Sequence, residues 1–329
     1  MEATALVELG RIYAESGQSV EACAAFEDAV GAARDASDQP TLAKALANAG
    51  SQLHLAGQSG EGLELSRQAV LEFRGLGDKR SELRTMANCA AIQQALGEPA
   101  DASLTAETAL TLARELDDRE LQPALYGLHA DLLDELGRPA GARTARQHAV
   151  AAARKTNDPN LLVDQLEALG EMLLAQSAHD DAIKVYTEAG MLHANRGDAT
   201  GCYRAVLQQG LIYQHLARWS EAAAALARAL EYSMQLNDTP RVPYIRANLA
   251  SALLGTKAFV EAAAIAAEAV DGYRSFDDRI GTGRALATRA QALEGLSLPD
   301  AKACYTEALA LLTGVDPAGE QALRALMAS

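Results

Sequence analysis

The chain repeats itself every 40 residues, and this period constrains the fold more than any other feature. Ala29, Ala69, Ala109, Ala149, Ala189, Ala229 and Ala269 recur in step, with Ala308 one residue early. A second register runs Ala22, Gly62, Ala102, Ala142, Ala182, Ala222 and Ala262, then Ala301, again one early. A third runs Gly10, Gly50, Ala90, Ala130, Gly170, Gly210, Ala250 and Ala290. Small residues in three registers held in phase mark a stacked array, in which each unit buries its apolar face only against its neighbours. The slip before Ala301 shortens the last loop by one residue.

Each unit reads as two helices. Alanine dominates an apolar fraction of 49%, whereas aromatics make up only 4%; the best helix former in such excess favours closely packed helix pairs and an all-α fold. In the first repeat, helix A is expected over about Glu2 to Ser16 and helix B over about Val20 to Ala36. Gly10, Ala22 and Ala29 fall where one helix crosses another, because only a small side chain permits close approach. Gly17, Gly57, Gly97 and Gly137 lie in the short connections. Pro99, Pro139 and Pro299 stand near the start of helix B, where a missing amide donor costs little. Trp219 and Phe259 occupy the same connection slot and are expected to pack over their helix pair. Asp38, Asp78, Asp118, Asp158, Asp198, Asp238 and Asp278 each precede a new apolar-periodic segment. A carboxylate there can accept from first-turn amides and meets the positive end of the helix dipole, so all seven read as N-caps. The predicted repeats are 1–37, 38–77, 78–117, 118–157, 158–197, 198–237, 238–277 and 278–315, forming a single stack over 1–329. A closing helix over 316–329 carries Leu323, Leu326 and Met327. Met1 begins a few residues inside the expected first helix, which reads as a segment of a longer protein.

Composition excludes several function classes. The net charge of −15 argues against a nucleic-acid partner and against docking on an anionic membrane. Neither a signal peptide nor an apolar run long enough to span a bilayer is present. Cys23, Cys89, Cys202 and Cys304 are spread singly, without the pairing that zinc requires, and read as small buried thiols in a reducing cytoplasm. The sequence lacks the P-loop, zinc-protease and nucleophile-elbow motifs. The stretch Gly281–Arg284 resembles a phosphate loop only superficially, since it falls inside an expected helix A. His129 occupies an interhelix slot and reads as a core residue. No catalytic residue, cofactor or metal is expected.

The order large-apolar, Leu-Gly, Tyr, then Ala, Phe, Ala is seen as Leu6, Leu9, Gly10, Tyr13, Ala22, Phe26 and Ala29 in the first repeat. The sixth shows it as Val206, Gly210, Tyr213, Ala222, Leu226 and Ala229. This order resembles the tetratricopeptide repeat, in a form with a period of 40 residues in place of 34 and an Asp-containing junction in place of the proline that ends helix B. The resemblance covers essentially the whole chain. It implies an α-α superhelix, a solenoid of eight helix-turn-helix repeats plus the C-terminal capping helix, with helix A lining a concave face.

By that pattern, the helix A positions not needed for packing include Arg11, Lys44, Asn48, Arg84 and Asn88 in repeats one to three. Repeats four and five supply Asp131, Asp134, Asp164, Glu167 and Glu171, and repeats six to eight supply Arg204, Tyr244, Asn248 and Arg284. The lining is thus basic at first, acidic in the middle and mixed at the end. Some tetratricopeptide domains hold a C-terminal carboxylate with a Lys, Asn, Asn, Lys, Arg set. This chain matches that set at Asn48 and Arg84 only, with Val7, Arg11 and Asn88 where lysine, asparagine and arginine would stand. The expected function is a scaffold that binds a peptide or partner protein, with a basic segment against the acidic stretch. Open solenoid ends also allow a homodimer. The alternative is the sensor arm of a bacterial signalling ATPase or transcriptional regulator.

Overall fold

The computed structural model describes residues 1–328, so Ser329, the last residue of the expected closing helix, lies outside the described residues. The chain divides into two compact units, Met1–Met172 and Leu173–Ser329, with the division falling inside a helix. The first unit comprises α1 (Glu2–Glu15), α2 (Ser19–Asp35), α3 (Gln39–Leu55), α4 (Ser59–Leu76), α5 (Lys79–Ala95), α6 (Pro99–Glu115), α7 (Leu121–Glu135), α8 (Pro139–Ala153) and most of α9 (Pro159–Ala175). The second comprises α10 (His179–Asn195), α11 (Ala199–His215), α12 (Trp219–Gln235), α13 (Val242–Gly255), α14 (Phe259–Ser275), α15 (Arg279–Gly295), α16 (Ala301–Leu312) and α17 (Pro317–Ala328). The fold is all-α, a tetratricopeptide-like series of antiparallel helix pairs. Within the first unit α1, α3, α5 and α7 also touch in sequence, as α11, α13 and α15 do within the second, so these helices form one layer in each.

Short connections are possible because one residue closes one helix and opens the next. Before Asp38, Ser37 takes a left-handed conformation (φ 52°). That lets the Asp38 amide donate to the Ala33 carbonyl at 2.9 Å and satisfy an end-of-helix acceptor. The Asp38 carboxylate then accepts from the Thr41 amide at 3.2 Å and starts α3. Asp78, Asp118, Asp198 and Asp278 accept likewise from the amides of Ser81, Leu121, Gly201 and Gly281, and Asp158 accepts from those of Asn160 and Leu161. The hydrogen bonds from Ser81 hold the Asp78 carboxyl below its ordinary range, and the Gly201 amide does the same for Asp198. Asp238 departs from the expectation. The amide three residues on, that of Arg241, donates to the Asp238 main-chain carbonyl at 3.2 Å. Pro240 offers no amide at all. The Asp238 carboxylate is left to the Arg241 guanidinium at 3.1 Å, and α13 starts only at Val242.

Left-handed residues recur at about twenty-residue intervals, and most are glycine, serine, asparagine or aspartate; Ala217 (φ 54°) and Lys257 (φ 63°) are not. An L side chain there costs about 1 kcal/mol or more, whereas glycine does not. Ala217 is exposed. Ala217→Gly is therefore expected to raise the unfolding free energy by about 0.5–1 kcal/mol after the gain in unfolded-chain entropy is subtracted. Urea titration measures it, and a lower midpoint would reject the account.

Candidate functional site

The helix crossings place the side chains that matter. In the first repeat Phe26 fills the slot opposite Gly10; a Cβ on Gly10 would stand 2.6 Å from the ring. In the sixth, Leu226 fills the equivalent slot against Gly210, at 2.7 Å. In the fourth the slot belongs to Arg146 on α8, a residue only 5% exposed. It reaches past α7 because Gly127 leaves a notch: a Cβ there would lie 2.9 Å from Nη1. Nη1 donates to Gln165 Oε1 on α9 at 3.3 Å, and Nη2 donates to Asp131 on α7. Burying a charge is tolerable only with such partners.

Arg146 therefore neutralises one member of the predicted acidic stretch from beneath. Asp131 is paired although its side chain is 53% exposed. Glu135 accepts from the Gln94 amide at 2.7 Å. Asp134, Asp164 and Glu171 are exposed and make no ion pair among the described residues, while Glu167 is half-buried. Of the earlier candidates, Lys44 and Arg84 are exposed and Asn48 is half-buried. Asn88 donates to Ser51 Oγ at 3.0 Å, tying α5 to α3. Arg11 is held within its own helix by Glu8 at 3.5 Å and Glu15 at 3.7 Å.

In the second unit the structure brings Tyr244, Asn248 and Arg284 to one cleft between α13 and α15, of about 600 Å³, also lined by Ser251, Tyr273 and Asp278. Arg284 Nε donates to Asp316 Oδ2 at 2.8 Å. Asp316 is buried and also caps α17 through the Gly319 amide at 3.1 Å. Arg204 is exposed on α11 and does not line this cleft. Burial, followed by the nearby Asp278 charge, pushes the Tyr273 phenol up to about 12.

Cys89, Cys202 and Cys304 are buried and Cys23 is half-buried; burial pushes the Cys89 thiol up to about 11. Burial also lowers the half-buried His129 from its ordinary range. Gly281–Arg284 lies inside α15. Trp219 packs over Gly255 and Phe259 over Gly295, where a Cβ would come within 2.4 Å and 2.7 Å of the rings. Among the described residues, no cluster of three or more His, Cys, Asp or Glu side chains could hold a metal ion, and no helix is long and apolar enough to cross a membrane.

The model for anaphase-promoting complex subunit 5 matches at residues 3–51, 78–131, 121–176, 176–256 and 206–280, well over half of the chain. The chain belongs to that family. It is one of tetratricopeptide-like helical repeats, so the repeat identity read from the small-residue registers holds. No curated protein matches the chain. Among solved structures, it is similar to a signal transduction ATPase with numerous domains from Pyrococcus horikoshii that has a tetratricopeptide repeat sensor. The identity is 14% and the TM-score 0.62, over 98% of this chain and 48% of that one; the chain thus spans about half of that protein. It is also similar to the apo form of RapI, at 13% identity and a TM-score of 0.58, covering 90% of this chain and 99% of that one. A third likeness is to aspartyl phosphate phosphatase F from Bacillus subtilis, at 14% identity and a TM-score of 0.51, covering 88% and 76%. At these identities the likenesses speak to the fold alone.

Proposed function

We propose that this chain is a non-catalytic scaffold that holds a partner polypeptide on the exposed face of α7 and α9, and that Asp134, Asp164 and Glu171 receive basic side chains of that partner. The reading is supported by one contrast. Asp131 and Glu135 are satisfied by Arg146 and Gln94, while Asp134, Asp164 and Glu171, on the two helices that Arg146 bridges, stay exposed and unpaired. Unpaired like charges on two helices joined through Arg146 raise the local potential, which sets association rate and selectivity. A pull-down from the native host tests this, comparing wild type with Asp134→Lys/Asp164→Lys/Glu171→Lys, with circular dichroism to show that the variant folds. Recovery of the partner is expected to fall at least tenfold in the folded variant, and wild-type binding to weaken as salt rises. Equal recovery by both proteins would remove the acidic face from the reading.

The tetratricopeptide repeat sensor named in the Pyrococcus horikoshii protein supports a second reading, in which this stack is the sensor arm of a longer regulator. Absence of any specific partner for the isolated chain would favour it.

A further inference from the structure

The α13–α15 cleft has its own unspent charge. The one cation among its lining residues, Arg284, donates Nε to the buried Asp316 at 2.8 Å. Among the described residues, the Asp278 carboxylate accepts only from the Gly281 amide, through Oδ1 at 2.8 Å, and makes no ion pair, its charge reaching Arg284 at longer range. Asn248 donates its amide to the Tyr244 carbonyl at 2.9 Å, which leaves its side-chain oxygen as an acceptor. The Tyr244 side chain, 44% exposed, and that of Tyr273 line the same space. We propose that this cleft takes one cationic side chain, arginine or lysine, presented by the polypeptide partner; the inference rests on the scaffold reading above.

The chemistry is one of complementarity. A guanidinium or ammonium gains from an aromatic face, more so when partly desolvated, and here it would also meet the Asp278 carboxylate and the Asn248 oxygen. Tyr273, like any tyrosine, is a neutral phenol throughout the physiological range. It therefore supplies a ring and a hydroxyl without a competing charge. An acidic side chain in the same place would face the Asp278 carboxylate, with Arg284 already bound through Nε to Asp316. The space of about 600 Å³ admits a long side chain together with its backbone.

The test uses the full chain labelled with fluorotyrosine and titrated with N-acetyl-arginine amide, its lysine counterpart and N-acetyl-aspartate amide. The resonances of Tyr244 and Tyr273 are assigned from their phenylalanine variants. Saturable shifts of these two resonances are expected with the basic probes alone. Asp278→Asn keeps the helix cap, since asparagine caps as well as aspartate, but removes the charge; it is expected to weaken the arginine response at least fivefold. Tyr244→Ala is expected to do the same. Asp134→Lys/Asp164→Lys/Glu171→Lys should leave the response unchanged, so failure of the acidic-face reading in the pull-down is distinguishable from failure here. No shift with arginine or lysine overturns the proposal. So does a response to the aspartate probe that is lost in Arg284→Gln.

Discussion

Gly62→Ala is expected to destabilise the first unit by about 3 kcal/mol, the upper part of the range for overpacking a close contact. A Cβ on Gly62 would stand 2.5 Å from the Gly50 carbonyl oxygen and 3.0 Å from the His54 amide nitrogen, both main-chain atoms of α3. The converse holds for Gly50, whose Cβ would meet the Gly62 carbonyl oxygen at 2.7 Å and the Ser66 amide nitrogen at 2.9 Å. Here α3 and α4 touch backbone to backbone, so no rotamer change relieves the clash and the helices must separate. Gly31 on α2 is the matched control. A Cβ there meets nothing within 4 Å, and removing glycine from a helix interior is expected to stabilise by about 0.5–1 kcal/mol. Chemical denaturation of the two variants should move in opposite directions. A Gly62→Ala midpoint at or above wild type would show that the α3–α4 contact is looser than described.

These crossings are also where the fold was most legible in the sequence. The registers of Gly10, Ala22 and Ala29 are a direct imprint of helix contact, because a crossing rejects every residue but the smallest. The junction aspartates were legible for a similar reason, since a twenty-residue helix-and-turn leaves one position that must both end and begin a helix. Asp238 escaped because its capping role depends on which acceptor takes a single amide three residues on, and Pro240 changes that choice.

The candidate site was legible as a surface but not as a set of contacts. Periodicity shows that Asp131 or Arg284 is unneeded for packing, yet it cannot show that Arg146 or Asp316 is already its neighbour. A signal for Arg146 was nonetheless present. A charged residue stands where the register places Phe26 and Leu226, and in the same repeat a glycine, Gly127, replaces the alanine found at Ala47 and Ala87. A large ion in a core slot paired with a missing side chain predicts a buried guanidinium passing through a notch. Tyr273 and Asp278 were missed as cleft residues because one lies on helix B and the other was accounted for as a cap.

The Arg146 pair carries the second large effect. Asp131→Ala would leave the guanidinium buried with Gln165 as its remaining partner, its Nε already lacking one. Breaking a buried pair from one side commonly costs 3–5 kcal/mol, and the half-exposed carboxylate lowers the expected loss to about 2–3 kcal/mol. Arg146→Leu has the opposite logic. It removes the ion that needs desolvating, fills a slot that takes leucine at Leu226, and leaves an Asp131 carboxylate that water can reach. It is expected to change stability by less than about 1 kcal/mol in either direction. In the double variant, the cost of Asp131→Ala should largely vanish, because no buried charge remains to be orphaned. Arg146→Leu also uncovers one more carboxylate on the acidic face, so its binding to a basic partner should strengthen at low salt and lose that advantage as salt rises. A stability loss for Arg146→Leu as large as that for Asp131→Ala would mean that the arginine holds α7 and α9 together, and its neutralisation of Asp131 would be incidental.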